Sequence, residues 1–116
     1  MAKRLTDTAK WKNPWFRSLP TKYKILFLYL LDECDNAGVI HLDWEIISFT
    51  LKETFDPKEF DSLFIDKFHY IAQDKIIIRK FLMAQDNLDS PMMRKHVEKV
   101  LRSHGIWERY REGKFS

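Results

Sequence analysis

The chain has 116 residues, of which 45% are hydrophobic, 15% aromatic and 32% charged, and its formal net charge is +3 at pH 7. This length predicts one domain with one apolar core, and the longest apolar run, Ile25 to Leu31, is far short of the roughly 20 residues that cross a bilayer. No apolar stretch follows the basic N-terminal residues, which argues against a signal peptide, and the single cysteine, Cys34, favours a reducing, cytoplasmic compartment without an intrachain disulfide.

The charge is unevenly distributed along the chain. Residues 1–24 carry seven basic and one acidic side chains, residues 25–90 carry six and thirteen, and residues 91–116 carry seven and three. The three net charges are therefore +6, −7 and +4. Basic ends around an acidic middle favour contact between the ends and a polyanion or an acidic partner, with ordinary solvated charge as the alternative.

The N-terminal quarter predicts a flexible arm followed by a short helix. Residues 1–10 are polar and show no periodicity. Beyond them, one side of a helix with Pro14 in its first turn would carry four apolar residues, Trp11, Trp15, Phe16 and Leu19. We expect both tryptophans to pack on the domain.

A largely buried central helix is predicted over 21–35. It is followed by Asn36-Ala37-Gly38, where Gly38 can take the left-handed conformation that often ends a helix. The apolar stretch from Val39 to Leu42 predicts one short strand.

Two further helices carry clear start signals. Asp43 is the N-cap of a helix at about 44–51, whose predicted buried face comprises Ile46, Ile47, Phe49 and Leu51. Asp56-Pro57 begins the third core helix, at about 57–67, whose apolar spacing is given by Phe60, Leu63, Phe64 and Phe68.

The remaining residues predict a hairpin and a last helix. The β-branched runs 70–72 and 75–81 surround the polar pair Gln73-Asp74, which predicts a turn. Ser90-Pro91 starts a helix that ends at Gly105, and its apolar face would contain Met92, Met93, His96, Val97, Val100 and Leu101. The tail from Trp107 onward is polar and basic and is predicted to be loose.

This order predicts a mainly α fold with a small β-hairpin, a winged helix-turn-helix with additional N- and C-terminal helices. The predicted divisions are a flexible basic arm at 1–10, the winged-helix domain at 11–106 and a basic tail at 107–116. In winged-helix domains the third core helix enters the major groove, and the hairpin, whose tip we expect to project, contacts the backbone or the minor groove.

Two parts of the sequence carry a resemblance. One runs from Trp11 through Pro14-Trp15-Phe16 and Leu19-Pro20 to the segment 22–38, and the other contains Phe81, Gln85, Leu88, His96-Val97 and Leu101. Together they resemble the N-terminal domain of phage and prophage replication proteins of the replisome-organiser or replication-initiator type, over roughly residues 3–106. The resemblance implies a winged-helix DNA-binding domain that acts at a replication origin, with replication or helicase-loading proteins as partners.

The third core helix is a poor candidate for reading base edges. Its polar face offers Lys58 and Lys67 beside Glu59, Asp61 and Asp66, and it has no Arg for guanine and no Asn or Gln for adenine. We therefore expect duplex DNA, rather than single strands, to be bound mainly through its phosphates. The predicted nucleic-acid-binding residues are basic side chains of the arm, the third helix, a hairpin cluster and the last helix: Lys10, Lys12, Arg17, Lys58, Lys67, Lys75, Arg79, Lys80, Arg94, Lys95 and Arg102.

The alternative is a protein-interaction or dimerisation module that uses its acidic third helix and does not read DNA. A homo-oligomer is possible under either interpretation, and no membrane partner is predicted. Trp44 and Trp107 are candidates for stacking on single-stranded bases if they are exposed, Trp107 more so because it follows Gly105.

No residue constellation typical of an enzyme is present in the sequence. The glycines are far apart, and His41, His69, His96 and His104 have no ligand spacing with one another or with Cys34, so we expect no catalytic residue, metal or cofactor. Cys34 is predicted to be a packing residue.

An acidic cluster at Asp32, Glu33 and Asp35 ends the central helix. We interpret it as a solvated patch, with a divalent-cation site as the alternative.

Overall fold

The computed structural model describes residues 8–79 and 91–113. It consists mostly of helices with a small antiparallel sheet, which confirms the coarse fold prediction. A 3-10 turn at Thr8–Lys12 precedes, in chain order, helices α1 (Pro14–Ser18) and α2 (Thr21–Glu33), strand β1 (Val39–His41), helices α3 (Trp44–Leu51) and α4 (Pro57–Leu63), strands β2 (Phe68–Ala72) and β3 (Lys75–Ile78), and helices α5 (Pro91–Ser103) and α6 (Trp107–Arg111). Within the described ranges, no helix is long and apolar enough to cross a membrane.

Several predictions concern residues outside the described ranges. They are the first seven residues of the arm, the hairpin cation Lys80, the resemblance residues Phe81, Gln85 and Leu88, and the last three residues of the tail.

The predicted helix starts are confirmed by their capping hydrogen bonds. The Asp43 carboxylate accepts from the backbone N–H groups of Glu45 and Ile46 at 3.1 and 3.2 Å, and Asp56 accepts from Lys58 N at 3.0 Å. These bonds satisfy donors that the first helical turn leaves without partners.

The third core helix is shorter than predicted, since α4 ends at Leu63 rather than near 67. Phe64 has a φ of −110°, and Lys67 N donates to Phe64 O at 2.8 Å, so the chain turns out of the helix. The turn delivers Phe68 to β2, where it is paired with Ile78 of β3. Strand pairing therefore ends the helix that the apolar spacing would continue.

The sheet has the strand order β1-β3-β2, and both pairings are antiparallel. Gln73-Asp74 forms the predicted turn between β2 and β3. His41 is paired with Lys75, and Leu42 N donates to Asp74 O at 2.6 Å. The expectation that the hairpin tip projects is therefore wrong, because hydrogen bonding holds the turn level with the end of β1.

Aromatic rings form the centre of the core. Phe60, Phe64 and Phe68 are stacked with centroids 4.8 to 5.3 Å apart, and Trp44 meets Phe60 edge-on at 5.0 Å. Such ring pairs add about 0.5–1.5 kcal/mol beyond the area they bury. The surrounding core contains α2, the sheet and the last helices, through Tyr23, Leu26, Leu30, Ile76, Leu101 and Ile106, which are fully buried.

The buried face predicted for α3 is partly wrong. Ile47 is buried and Leu51 is packed against the core, but Ile46 is 56% and Phe49 73% exposed. Ile47 and Leu51 are one turn apart, so they form the face that meets α2 and the sheet, and the other two lie on the opposite side.

Two other predicted apolar faces are only partly buried. On α5, Val97 and Leu101 are buried, while Met92 and His96 are exposed. Trp11 is 55% exposed, although its ring contacts Phe16 edge-on at 5.0 Å.

The C-terminal segment is more ordered than the sequence predicts. Gly105 has a φ of +72°, and the N–H groups of Gly105 and Ile106 donate to the carbonyls of Arg102 and Leu101, which ends α5 where predicted. The prediction of a loose tail from Trp107 is wrong for Trp107–Arg111, which forms α6. Burial of Ile106 places the next residues against the core, where Trp107 and Tyr110 pack.

Candidate nucleic-acid interface

Helix α5 presents a row of cations to solvent. Lys95, Lys99 and Arg102 are exposed and occur at i, i+4 and i+7, on the side opposite the buried Val97 and Leu101. At 1.5 Å per residue the row is about 10 Å long. We call Lys95, Lys99 and Arg102 the α5 row; the predicted Arg94 is exposed on the same helix.

Arg102 is held in place by two neighbours. Its Nη2 is 3.3 Å from Glu98 Oε1, and its guanidinium carbon is 5.5 Å from the centre of the Trp107 ring. Both contacts are at the surface, so they orient the side chain and leave it open to an anion.

A second pair of cations lies where the turn after α4 meets the hairpin. Arg79 N donates to Lys67 O at 2.9 Å, and Arg79 Nη1 donates to Asp66 O at 3.0 Å. Lys67 Nζ is 4.7 Å from the centre of the Trp15 ring, whose Nε1 donates to Leu63 O at 2.9 Å. We call these two residues the Lys67–Arg79 pair.

His69 lies near this pair in a partly buried position. The pKa of His69 lies below its ordinary value because burial and the nearby Arg79 guanidinium both disfavour the imidazolium.

Two members of the predicted hairpin cluster, Lys75 and Arg79, lie apart. Lys75 begins β3 beside the turn, whereas Arg79 follows the other end of the strand. Four residues of strand separate them by about 13 Å. Of the three residues predicted to act together, Lys75 is therefore apart from Arg79, and Lys80 is outside the described ranges.

The other predicted cations are spread over the N-terminal elements and α4. Lys12 and Arg17 are exposed and Lys10 is half-buried, all of them before α2. Lys58 is exposed at the start of α4.

The carboxylates of α4 have intramolecular roles. Asp61 accepts a hydrogen bond from the Tyr70 hydroxyl of β2, and burial together with Asp61 raises the pKa of Tyr70. Burial, reinforced by the Glu59 carboxylate, raises the pKa of Tyr23 to about 12. The acidic face of this helix therefore partly serves the fold, but its exposed carboxylates still oppose approach of a phosphate backbone.

Asp35 of the acidic cluster joins two parts of the fold. Its Oδ1 accepts from Ala37 N at 2.9 Å and Val39 N at 3.0 Å, and its Oδ2 is 2.9 Å from His104 Nε2. Asp32 and Glu33 are exposed, as a solvated patch requires. Among the described residues, no group of three or more His, Cys, Asp or Glu side chains could hold a metal ion. The His104 contact had no signal in the sequence, because its partners are 69 residues apart.

The remaining candidate side chains mainly pack. Cys34 is buried, as predicted, and its Sγ is 3.4 Å from Leu31 O. Trp44 and Trp107 are half-buried, and Trp107 is stacked with Tyr110 at 6.1 Å. Since both rings fall in the same half-buried range, the greater exposure of Trp107 stays a prediction.

Comparisons with protein-family models, with curated proteins and with solved structures found no match.

Proposed function

We propose that the chain is a winged-helix DNA-binding module of a phage-type replication-initiation protein, and that it binds duplex DNA mainly through phosphates. The observation that carries this proposal is the exposed α5 row on a domain whose elements follow the winged-helix order. That order is α2, β1, α3, α4 and the β2–β3 hairpin, with β3 in the middle of the sheet.

The distribution of charge favours phosphate contacts over base reading. The exposed surface of α4 carries Glu59 and Asp61, and its seven residues include no Arg for a guanine edge and no Asn or Gln for an adenine edge. The α5 row and the Lys67–Arg79 pair provide five cations on ordered backbone, so little conformational freedom is lost when they meet phosphates. Because contacts to phosphates outweigh contacts to bases, we expect binding to tolerate changes in DNA sequence.

The salt dependence of binding provides a quantitative test. If all five cations neutralise phosphates, log K falls with log salt concentration with a slope of about −4.5, from about −0.9 per phosphate contact. We expect micromolar affinity for a duplex of about 20 base pairs near 50 mM salt, measured by fluorescence anisotropy. Absence of binding under that condition refutes the proposal.

A matched pair of triple variants locates the contact surface. Replacing Lys95, Lys99 and Arg102 with Gln removes three contacts and should reduce the slope by about 2.7. The control replaces three other cations with Gln, namely Lys24, Lys52 and Arg109, and should change the slope by much less. Equal effects of the two triple variants would show that only net charge matters and that α5 is not the contact surface.

A second function, protein interaction through the acidic third helix, is favoured by the surface at the end of α4. Ile65 is 73% exposed and is followed by the exposed Asp66, with Glu59 exposed on the helix before them. Under this alternative, Glu59→Lys with Asp66→Lys abolishes association with a basic partner. Under the DNA proposal the same variant strengthens duplex binding, because two carboxylates that repel phosphate are replaced.

A further inference from the structure

An open cleft of about 260 Å³ lies between α2, β1 and α3. Its apolar walls are formed by Tyr29, Ile40, Ile46 and Ile47. The volume is below the roughly 300 Å³ at which small-molecule pockets begin. The cleft therefore suits one or two apolar side chains of a macromolecule better than a cofactor or metabolite.

The apolar surface continues outside the cleft to Phe49, whose ring centre is 4.5 Å from Lys52 Nζ, and carboxylates border it at the cleft. Phe49 is one helical turn from Ile46, and both side chains are more than half exposed. Glu33 and Asp43 line the cleft, and Glu45 is exposed beside Ile46. Asp43 caps α3, so Glu33 and Glu45 are the carboxylates available to a partner. Contiguous exposed apolar surface with a polar rim is typical of a protein-interaction site.

The same chain carries a surface of complementary chemistry on α5. Met92 is 81% exposed, and Lys95 and Lys99 follow it at i+3 and i+7, within the same side of the helix. This side is opposite to Val97 and Leu101, which are buried in the chain's own core. One apolar side chain, followed along the helix by two cations, thus faces solvent, where another molecule can reach it.

We propose that the chain self-associates head to tail, with Met92 of one copy in the α2–β1–α3 cleft of the next. Lys95 and Lys99 then face Glu33 and Glu45 of that copy. The two surfaces are different, so the contact is heterologous and extends a chain of copies or closes a ring. The excess of negative charge over residues 25–90 and of positive charge over 91–116 favours this pairing.

This contact does not depend on DNA binding, but it uses Lys95 and Lys99, which also belong to the α5 row. Duplex DNA and a second copy therefore compete for the same helix, and added duplex should reduce self-association. Each contact can fail experimentally without the other.

Sedimentation velocity of the full chain tests the proposal. The weight-average sedimentation coefficient should rise between about 10 µM and 1 mM protein at low salt, and the association should weaken several-fold when about 300 mM salt screens the rim charges. A chain that stays monomeric over this range overturns the proposal.

Two variants, each altered on one surface, identify the contact. Variant one is Glu33→Lys with Ile46→Lys in the cleft, and variant two is Met92→Asp with Lys95→Glu on α5. All four positions are exposed, so circular dichroism should match the unaltered chain. We expect each variant alone to be monomeric and their mixture to associate, because each retains the surface that the other has lost.

The remaining outcomes overturn the proposal. A variant that still associates alone shows that a patch pairs with itself or that another surface is used. A mixture that stays monomeric excludes contact between the two surfaces. The control Arg109→Glu, which reverses one charge at an exposed position on α6, should leave self-association unchanged.

Discussion

Replacing Asp35 tests how the end of α2 is joined to β1 and to α5. The carboxylate accepts from two backbone N–H groups, of Ala37 and Val39, and contacts His104. Ala37 and Val39 are buried, so Asp35→Ala leaves two donors with little access to water. A buried donor without a partner costs about 1–3 kcal/mol. The Asp35 side chain is about one-third exposed, so water replaces part of the hydrogen bonding that the carboxylate provided. We expect the free energy of unfolding to fall by about 2–3 kcal/mol.

Asp35→Asn separates the turn from the histidine contact. Its side-chain oxygen still accepts from both N–H groups, so only the charge-assisted bond to His104 weakens, at a cost of about 1 kcal/mol or less for a partly exposed pair. Urea unfolding followed by tryptophan fluorescence at neutral pH measures both variants. The reasoning is refuted if Asn costs as much as Ala, or if Ala costs under about 0.5 kcal/mol.

Three further substitutions test the core, an ionisation and a strained backbone position. The pKa of Tyr23 is about 12 in the folded chain, against 10 for an ordinary tyrosine, so the unfolded chain ionises first and the free energy of unfolding falls as pH rises from 10 to 12. Tyr23→Phe should make this fall less steep when urea unfolding is repeated across that pH range. An unchanged dependence on pH would contradict the raised pKa of Tyr23. Phe60→Ala, at the centre of the ring stack, should lower the free energy of unfolding by about 3–5 kcal/mol in the same assay. Ile65→Ala, at an exposed position, should lower it by less than about 0.5 kcal/mol. Lys52→Gly should raise stability by about 0.5–1 kcal/mol, since Lys52 ends α3 with a φ of 58°, and a loss would show that its contact with the Phe49 ring matters more.

Local features of the fold were predicted best. The starts of α3 and α4 depend on Asp43 and Asp56, whose carboxylates bond N–H groups two or three residues away. Such contacts are contained within a short window of sequence. The side of α3 that would be buried could not be predicted, because Ile46 and Phe49 are as apolar as Ile47 and only the position of α2 and the sheet distinguishes them.

In the candidate site, too, features within one helix were predicted from the sequence, and contacts between distant residues were not. The sequence placed Lys95 and Arg102 on one helix, and the structure shows both of them exposed on the same side of α5. The Lys67–Arg79 pair required knowledge that β2 and β3 are antiparallel neighbours, and the extended strand β3 separates Lys75 from Arg79. The contact between Asp35 and His104 joins residues far apart in the chain, and no local pattern predicts it.

The burial of residues from α5 and its C-terminal turn has a consequence for the order of folding during synthesis. Leu101 and Ile106 are fully buried, yet they follow every strand of the sheet in the chain. A ribosome adds about 5–20 residues per second, so it releases β3 well before these side chains. The apolar surface of the sheet and α2 is therefore exposed to solvent for seconds. Closure of the core is thus set by the last quarter of the chain, and stalling synthesis before Leu101 should leave an intermediate that binds hydrophobic dyes and chaperones.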